Sequence, residues 1–185
     1  SPLLAALDLG ASGTKDDIYI RSKKPISAID IYFQTTKVLY QMVAAGPANI
    51  PKIELVDGTK VLHGLTGYEN QALAYYSYPG IAMEHGQHIQ TQSEVDLYRI
   101  SFGRYLWDPL FAFLPERFDN PQIKIQWDED VADTSVTVNS CEVWAHFFDE
   151  KQISPLGLLI AKEIKSFTLG SDDDYHNILL PEDMP

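Results

Sequence analysis

Apolar and polar side chains alternate with a period of two along most of this chain. Asp17 to Arg21 reads D-I-Y-I-R, and Ile26 to Phe33 carries Ile26, Ile29, Ile31 and Phe33. Such alternation puts one face of an extended segment on a core and the other toward water. The two runs are expected to be neighbouring strands joined by a turn at Lys23-Lys24-Pro25. Lys52 to Val56 and Thr59 to Leu62 flank Asp57-Gly58, a dipeptide suited to a type I′ hairpin turn. Further strands are expected at Val95 to Phe102, Gln122 to Trp127 and Ser135 to Phe148. In the last of these, Val136 and Val138 share a phase, and Cys141, Val143, Ala145 and Phe147 alternate after a slip of one residue. That slip predicts a bulge or bend near Asn139-Ser140. A final apolar run, Leu158 to Leu169, begins with a spacing that also suits a helix.

One helix interrupts the strands. Thr66-Gly67-Tyr68-Glu69 has capping-box spacing and opens a segment that ends at Pro79-Gly80. Its tyrosines, Tyr68, Tyr75, Tyr76 and Tyr78, are expected in core packing, with a sugar-stacking face as the alternative. The stretch Trp107 to Pro121 ("WDPLFAFLPERFDNP") is too rich in proline and bulky apolar residues for a solvated loop, so it should cover the body of the protein. About eight short strands and one short helical insertion predict an all-β fold, an antiparallel two-sheet jelly-roll sandwich, as a single domain over residues 1–185.

Composition agrees with a packed domain: 45% of residues are hydrophobic and 22% charged. The formal charge of −12, from 14 basic and 26 acidic residues, disfavours direct nucleic-acid binding, which needs many Lys and Arg contacts to phosphate. No apolar run reaches the ~20 residues of a membrane-spanning helix, so no membrane span is expected. Cys141 is the sole cysteine, excludes an intrachain disulfide, and is expected as a small buried filler. The start Ser1-Pro2, without methionine, suggests processing, a tag remnant or a fragment.

Candidate chemistry is sparse. "LDLGASGTK", Leu7 to Lys15, is similar to the first phosphate motif of sugar kinases and actin-like ATPases, with glycines and hydroxyls around a possible phosphate and Asp8 near its magnesium. Those enzymes need two lobes, a second phosphate hairpin and alternating strands and helices, none of which the remaining sequence supplies, so Leu7 to Lys15 is read as a turn. In "EHGQH", with Glu84, His85 and His88, the two histidines three apart could face one ion on a helix, but Gly86 weakens that helix and no further nearby ligand completes a tetrahedron. Asp128, Glu129, Asp130 and Asp133, and Asp172 to Asp174, do not follow a calcium-loop spacing and are read as solvated loops. His63, His146 and His176 stand alone, as packed or surface histidines. No nucleophile elbow is present. The expectation is therefore no enzyme, no cofactor and no metal.

The segment "DLYRISFGRYLWDPLFAFLPERFDNPQIKIQWDED" and the ending "YHNILLPEDMP" resemble the N-terminal jelly roll of the double-jelly-roll major capsid proteins of tailless icosahedral viruses. In that family a strand ending near Phe-Gly is followed by a long excursion and an Asn-Pro that opens the next strand; here these are Phe102-Gly103, Trp107 to Asp119, and Asn120-Pro121. The resemblance implies a structural protein of the virion capsid that self-assembles with neighbouring capsid subunits as a homo-oligomer, trimer or larger. It implies that residues 174–185 lead toward a second barrel, although a complete single jelly roll is the alternative. Trp107, Phe111, Phe113 and Phe118 are the interface candidates, unless they plug the end of their own barrel. Two other functions stay open: a carbohydrate-binding jelly-roll module using Tyr75, Tyr76, Tyr78 or an exposed tryptophan, and a phosphotransferase fragment using Leu7 to Lys15.

Overall fold

The computed structural model describes residues 2–9, 12–37, 46–77, 93–128, 136–149 and 152–164. They form strands β1 (Leu3–Asp8), β2 (Ser12–Tyr19), β3 (Ile26–Lys37), β4 (Lys52–Asp57), β5 (Lys60–Leu65), β6 (Ser93–Ser101), β7 (Pro121–Asp128), β8 (Val136–Phe147) and β9 (Ala161–Lys162). Helix α1 (Gly67–Ser77) lies between β5 and β6, and 3-10 turns occupy Gly46–Asn49 and Pro115–Arg117.

The strands make a four-stranded sheet in the order β1-β8-β3-β6 and a five-stranded sheet in the order β2-β7-β4-β5-β9. Among the described residues, every pairing between these strands is antiparallel except β5 with β9. Chain-successive strands cross repeatedly between the sheets, and this interleaved order is that of a jelly roll. Period-two alternation supplies the core between them. Ile29, Ile31 and Phe33 of β3, Tyr98 and Ile100 of β6, and Cys141, Val143 and Ala145 of β8 face Ile53 and Leu55 of β4, Ile123, Ile125 and Trp127 of β7, and Ile18 of β2. Cys141 is a buried filler, and desolvation pushes its thiol up to about 12, far from reactive thiolate chemistry.

The expected irregularity in β8 is present: Gln34 pairs with Ser140 and Thr35 with Val138, leaving Asn139 as the extra residue. The capping box is present as well. Thr66 N–H donates to Glu69 Oε2 at 2.8 Å, and Glu69 N–H donates back to Thr66 Oγ1 at 3.3 Å.

Three local expectations are corrected. The β4–β5 hairpin turns one residue later than expected: Asp57 pairs with Lys60, so the loop is Gly58-Thr59. Gly58 has φ 58° and Thr59 does not share a positive φ, which fits a type II′ turn rather than type I′. Lys23-Lys24-Pro25 does not join strands of one sheet. It carries the chain from β2, in the five-stranded sheet, to β3, in the four-stranded sheet. The run from Leu158 is neither a long strand nor a helix as far as Ile164, and contributes only the two residues of β9; residues 165–169 lie outside those described.

The phosphate-motif stretch is divided between the sheets. Leu3–Asp8 pairs with β8 in one, and Ser12–Tyr19 pairs with β7 in the other. Gly13 is needed there for space: a Cβ would lie 2.9 Å from the ring of Trp127. Gly10 and Ala11 lie outside the described residues.

Candidate functional site

The excursion between β6 and β7 closes one end of the sandwich. Phe102, Phe113 and Phe118 form a stack, with centroids 5.0 and 4.9 Å apart and interplanar angles of 25° and 26°. Backbone bonds tie the stack into the barrel: Phe113 N–H donates to Ile26 O at 2.8 Å, and Ile26 N–H donates to Phe113 O at 2.7 Å. Phe113 is therefore fully enclosed, at 0% exposure. Gly103 allows the chain to fold back, because a Cβ there would lie 2.7 Å from Asp108 Cβ and 2.8 Å from Phe111 O.

Asp108 is the polar anchor of this end. Its carboxylate accepts from Arg104 Nε at 2.8 Å, and from the N–H groups of Arg104 and Leu110 at 3.2 and 3.0 Å. The Arg104 guanidinium is the main reason the carboxyl is held well below the usual range, with the backbone donors assisting against desolvation. Trp107 adopts φ 69°, an unusual conformation for a bulky residue. It is over-determined by a 2.7 Å bond from its N–H to Ser27 Oγ and by edge-to-face contacts with His146 and Phe148.

Beneath that tryptophan, the outward side of the four-stranded sheet holds a buried ion cluster. Asp30 accepts from Arg99 Nε and Nη2, each at 2.6 Å, and from His146 Nε2 at 2.7 Å. Burial pushes the Asp30 carboxyl up, but bonding to Arg99 and His146 outweighs it and the pKa is lowered. Alongside, a groove of about 620 Å³ is lined by Tyr32, Gln34, Val95, Ser140, Glu142, Trp144 and His146.

An adjoining flank is closed by α1 in a different way. The helix buries Gly67, Asn70 and Gln71, and packs on the turn at Gly46–Asn49, on β6 and on β5. Asn70 Nδ2 donates to His63 Nε2 at 3.0 Å. Desolvation lowers the His63 pKa to about 4, so the ring is neutral near pH 7. Both side-chain polar atoms of Asn49, Asn70 Oδ1, Gln71 Nε2 and Tyr98 Oη are buried without a hydrogen-bond partner among the described residues. The helix tyrosines are a correction to the packing expectation: Tyr68, Tyr75 and Tyr76 are exposed rather than in the core, and Tyr78 lies outside the described residues.

The structure brings the four interface candidates to one end of the barrel but divides them by depth. Phe113 and the half-buried Phe118 are the inner stack. Phe111 is half-buried, bridged to Gly157 and covered by the Arg104 guanidinium 5.2 Å from its ring centroid. Trp107 reaches solvent, at 44% exposure. The Glu84–His88 motif, His176, Glu129, Asp130, Asp133 and Asp172 to Asp174 lie outside the described residues. No group of three or more metal-ligating side chains occurs among the described residues. The Asp30–Arg99–His146 cluster was not anticipated. Its only signal was Asp30 as the charged residue within the run Ile29 to Phe33 of β3.

No family model and no curated protein matches the chain. The fold is similar to the solved major capsid protein of STIV, with a TM-score of 0.51 and 12% identity, over 79% of this chain and 48% of that one. Similarity to the major capsid protein P2 from bacteriophage PM2 covers 77% of this chain and 51% of that one, with a TM-score of 0.40 and 13% identity. The chain thus spans about half the length of these solved structures. At this identity the likeness is one of fold, the jelly roll of a double-jelly-roll capsid protein. No helix among the described residues is long and apolar enough to cross a membrane.

Proposed function

We propose that this chain is a jelly-roll building block of a viral capsid or capsid-like shell, working by self-assembly in the virion and not by catalysis. The observation that carries the reading is the strand order, β1-β8-β3-β6 against β2-β7-β4-β5, together with its similarity to the STIV major capsid protein. In this reading residues 1–185 supply one barrel, and residues 174–185 lead toward a second. Trp107 and Phe111 contact a neighbouring subunit or barrel, and Phe113 and Phe118 hold that surface rigid from inside. The strained Trp107 supports this role, since its conformation is costly and its ring stays partly open to solvent.

Sedimentation velocity and negative-stain microscopy of the purified chain test the reading. Trimers or larger closed assemblies are expected, and a monomer at every attainable concentration refutes it. A second reading, carbohydrate binding, is favoured by Tyr32 and Trp144 standing beside Gln34 and Glu142 in the sheet groove, a combination of aromatic faces and planar polar groups suited to sugar rings. Glycan-array binding with quenched tryptophan fluorescence, lost in Trp144→Ala, would establish it.

A further inference from the structure

From the geometry we infer that the outer face of α1, with the adjoining segment 158–164, is a contact surface for a second copy of this chain. The inference rests on the assembly reading and supplies a surface for it. A helix that packs only on its own domain buries its apolar stripe. Here the distribution is reversed: Asn70 and Gln71 face inward, whereas Leu73 and Tyr75 are exposed and Tyr76 is 81% exposed. The apolar surface continues across two clefts that share Leu73. One, of about 460 Å³, runs past Leu159 to Gly103 and Arg104; the other, of about 480 Å³, lies between Leu65, Tyr76, Ile160 and Ile164. Clustered apolar side chains of this kind mark contact surfaces.

The assembly reading names a second copy as the occupant, and charge says where two copies can meet. The chain carries −12, so two copies repel unless they meet where the surface is not acidic. Among the described residues, the charged side chains lining the two clefts are Arg99, Arg104, Lys162 and Glu69. The carboxylates paired with the arginines, Asp30 and Asp108, are buried behind them at 1% and 0% exposure. The two arginines are thereby neutralised and Lys162 offsets Glu69, so this flank is a charge-balanced, apolar region on an acidic chain, where two copies meet without the repulsion of their acidic surfaces. Continuity is the second argument: Gly103 and Arg104 belong to the excursion that presents Trp107, so the helix flank extends the surface already proposed for assembly.

The test uses the 185-residue chain and a Leu73→Gln/Tyr76→Ser variant, both positions being exposed. Sedimentation velocity over a concentration series is expected to show self-association of the wild type, with a dissociation constant raised at least tenfold in the variant. The unfolding temperature should be unchanged, and Tyr76 should be protected from iodination only in the associated wild type. Should the double variant unfold early, Tyr76→Glu alone serves in its place. Equal association by wild type and variant overturns the α1 surface while leaving assembly intact. A wild type that never associates overturns both. Glycan binding that is lost in the variant while association is unchanged also overturns it, reassigning the tyrosines to sugar.

Discussion

The excursion between β6 and β7 and the helix between β5 and β6 both cover openings of the same sandwich, but they turn different kinds of residue inward. The excursion turns Phe113 and Phe118 inward and leaves Arg104 outside, with Tyr105, Trp107 and Leu110 also exposed. The helix turns Asn70 and Gln71 inward and leaves Tyr75 and Tyr76 outside. The first is explained by the barrel's own stability, because enclosing aromatic rings is the dominant favourable contribution to folding. The second is not: burying amides earns little net free energy even when they are bonded, and Asn70 Oδ1 and Gln71 Nε2 have no hydrogen-bond partner among the described residues. A barrel that closes one opening with its own apolar groups, and holds aromatic groups outward over another, has surface committed to something beyond itself.

The largest expected effect sharpens this contrast. Phe113→Ala removes the middle ring of the stack and should cost about 3–5 kcal/mol of stability, read from urea denaturation. Tyr76→Ala should stay within about 0.5 kcal/mol in the isolated chain, since surface substitutions rarely exceed that and its one ring contact, with the exposed Tyr75, is itself at the surface. Equal losses at the two sites would dissolve the distinction between plug and helix.

Protonation separates the regions next. His63, beneath the helix, titrates near 6.5 when unfolded but at about 4 when folded. Between those values the unfolded chain binds a proton that the native chain does not, so stability falls as pH drops from 6.5 toward 4 and this contribution is flat outside that window. The loss is on the order of 3 kcal/mol at 1.36 kcal/mol per unit. Urea midpoints at pH 7 and pH 4 should converge in His63→Gln. Asp30 acts in a lower window: its depressed pKa contributes stability above the ordinary 3.8, lost as pH falls through the folded value. An unchanged pH slope in His63→Gln would mean that the helix flank is not the acid-sensitive region.

Much of this architecture was legible because alternation reports burial directly. Ile29, Ile31 and Phe33 could face one core only as a strand, and the phase slip before Cys141 located the bulge at Asn139. The capping box at Thr66 and Glu69 is a local rule, and it held. The partnering of strands was less accessible, since alternation does not say which sheet a strand joins; Lys23-Lys24-Pro25 therefore read as a simple turn when it crosses between layers. The excursion's aromatics were legible as a group, but their depth was not. Phe111 and Phe113 differ by two residues in a segment without regular periodicity, and only backbone pairing of Phe113 with Ile26 sets the second inside. Asp30, Arg99 and His146 lie on three strands, so nothing local announced their meeting. The tyrosines of α1 read as core because exposed aromatic clusters are uncommon, which is the property that makes them informative.

A smaller effect is expected at Gly103. An added Cβ meets Asp108 Cβ and a backbone oxygen, so Gly103→Ala should cost about 1–3 kcal/mol through displacement of the excursion. If the end is built as a rigid support for Trp107, the same variant should also increase quenching of tryptophan fluorescence by acrylamide. A stability loss without any change at the tryptophan would separate the support from the surface.

The smallest effect probes whether the helix flank is a separate, more labile unit. Thr66→Ala removes the hydroxyl that accepts from Glu69 N–H and should cost the helix about 1 kcal/mol. Because α1 packs through few apolar side chains, that loss should appear mainly as local opening. Amide exchange over Gly67–Ser77 should accelerate about fivefold, the factor equivalent to 1 kcal/mol, while β3 and β8 exchange nearly as before. If the wild-type chain associates through α1, the same amides should slow as concentration rises, because a partner that binds only the closed helix adds its binding free energy to the cost of opening. In Thr66→Ala that concentration dependence should persist, displaced to higher concentration, which distinguishes a weakened helix from an absent contact.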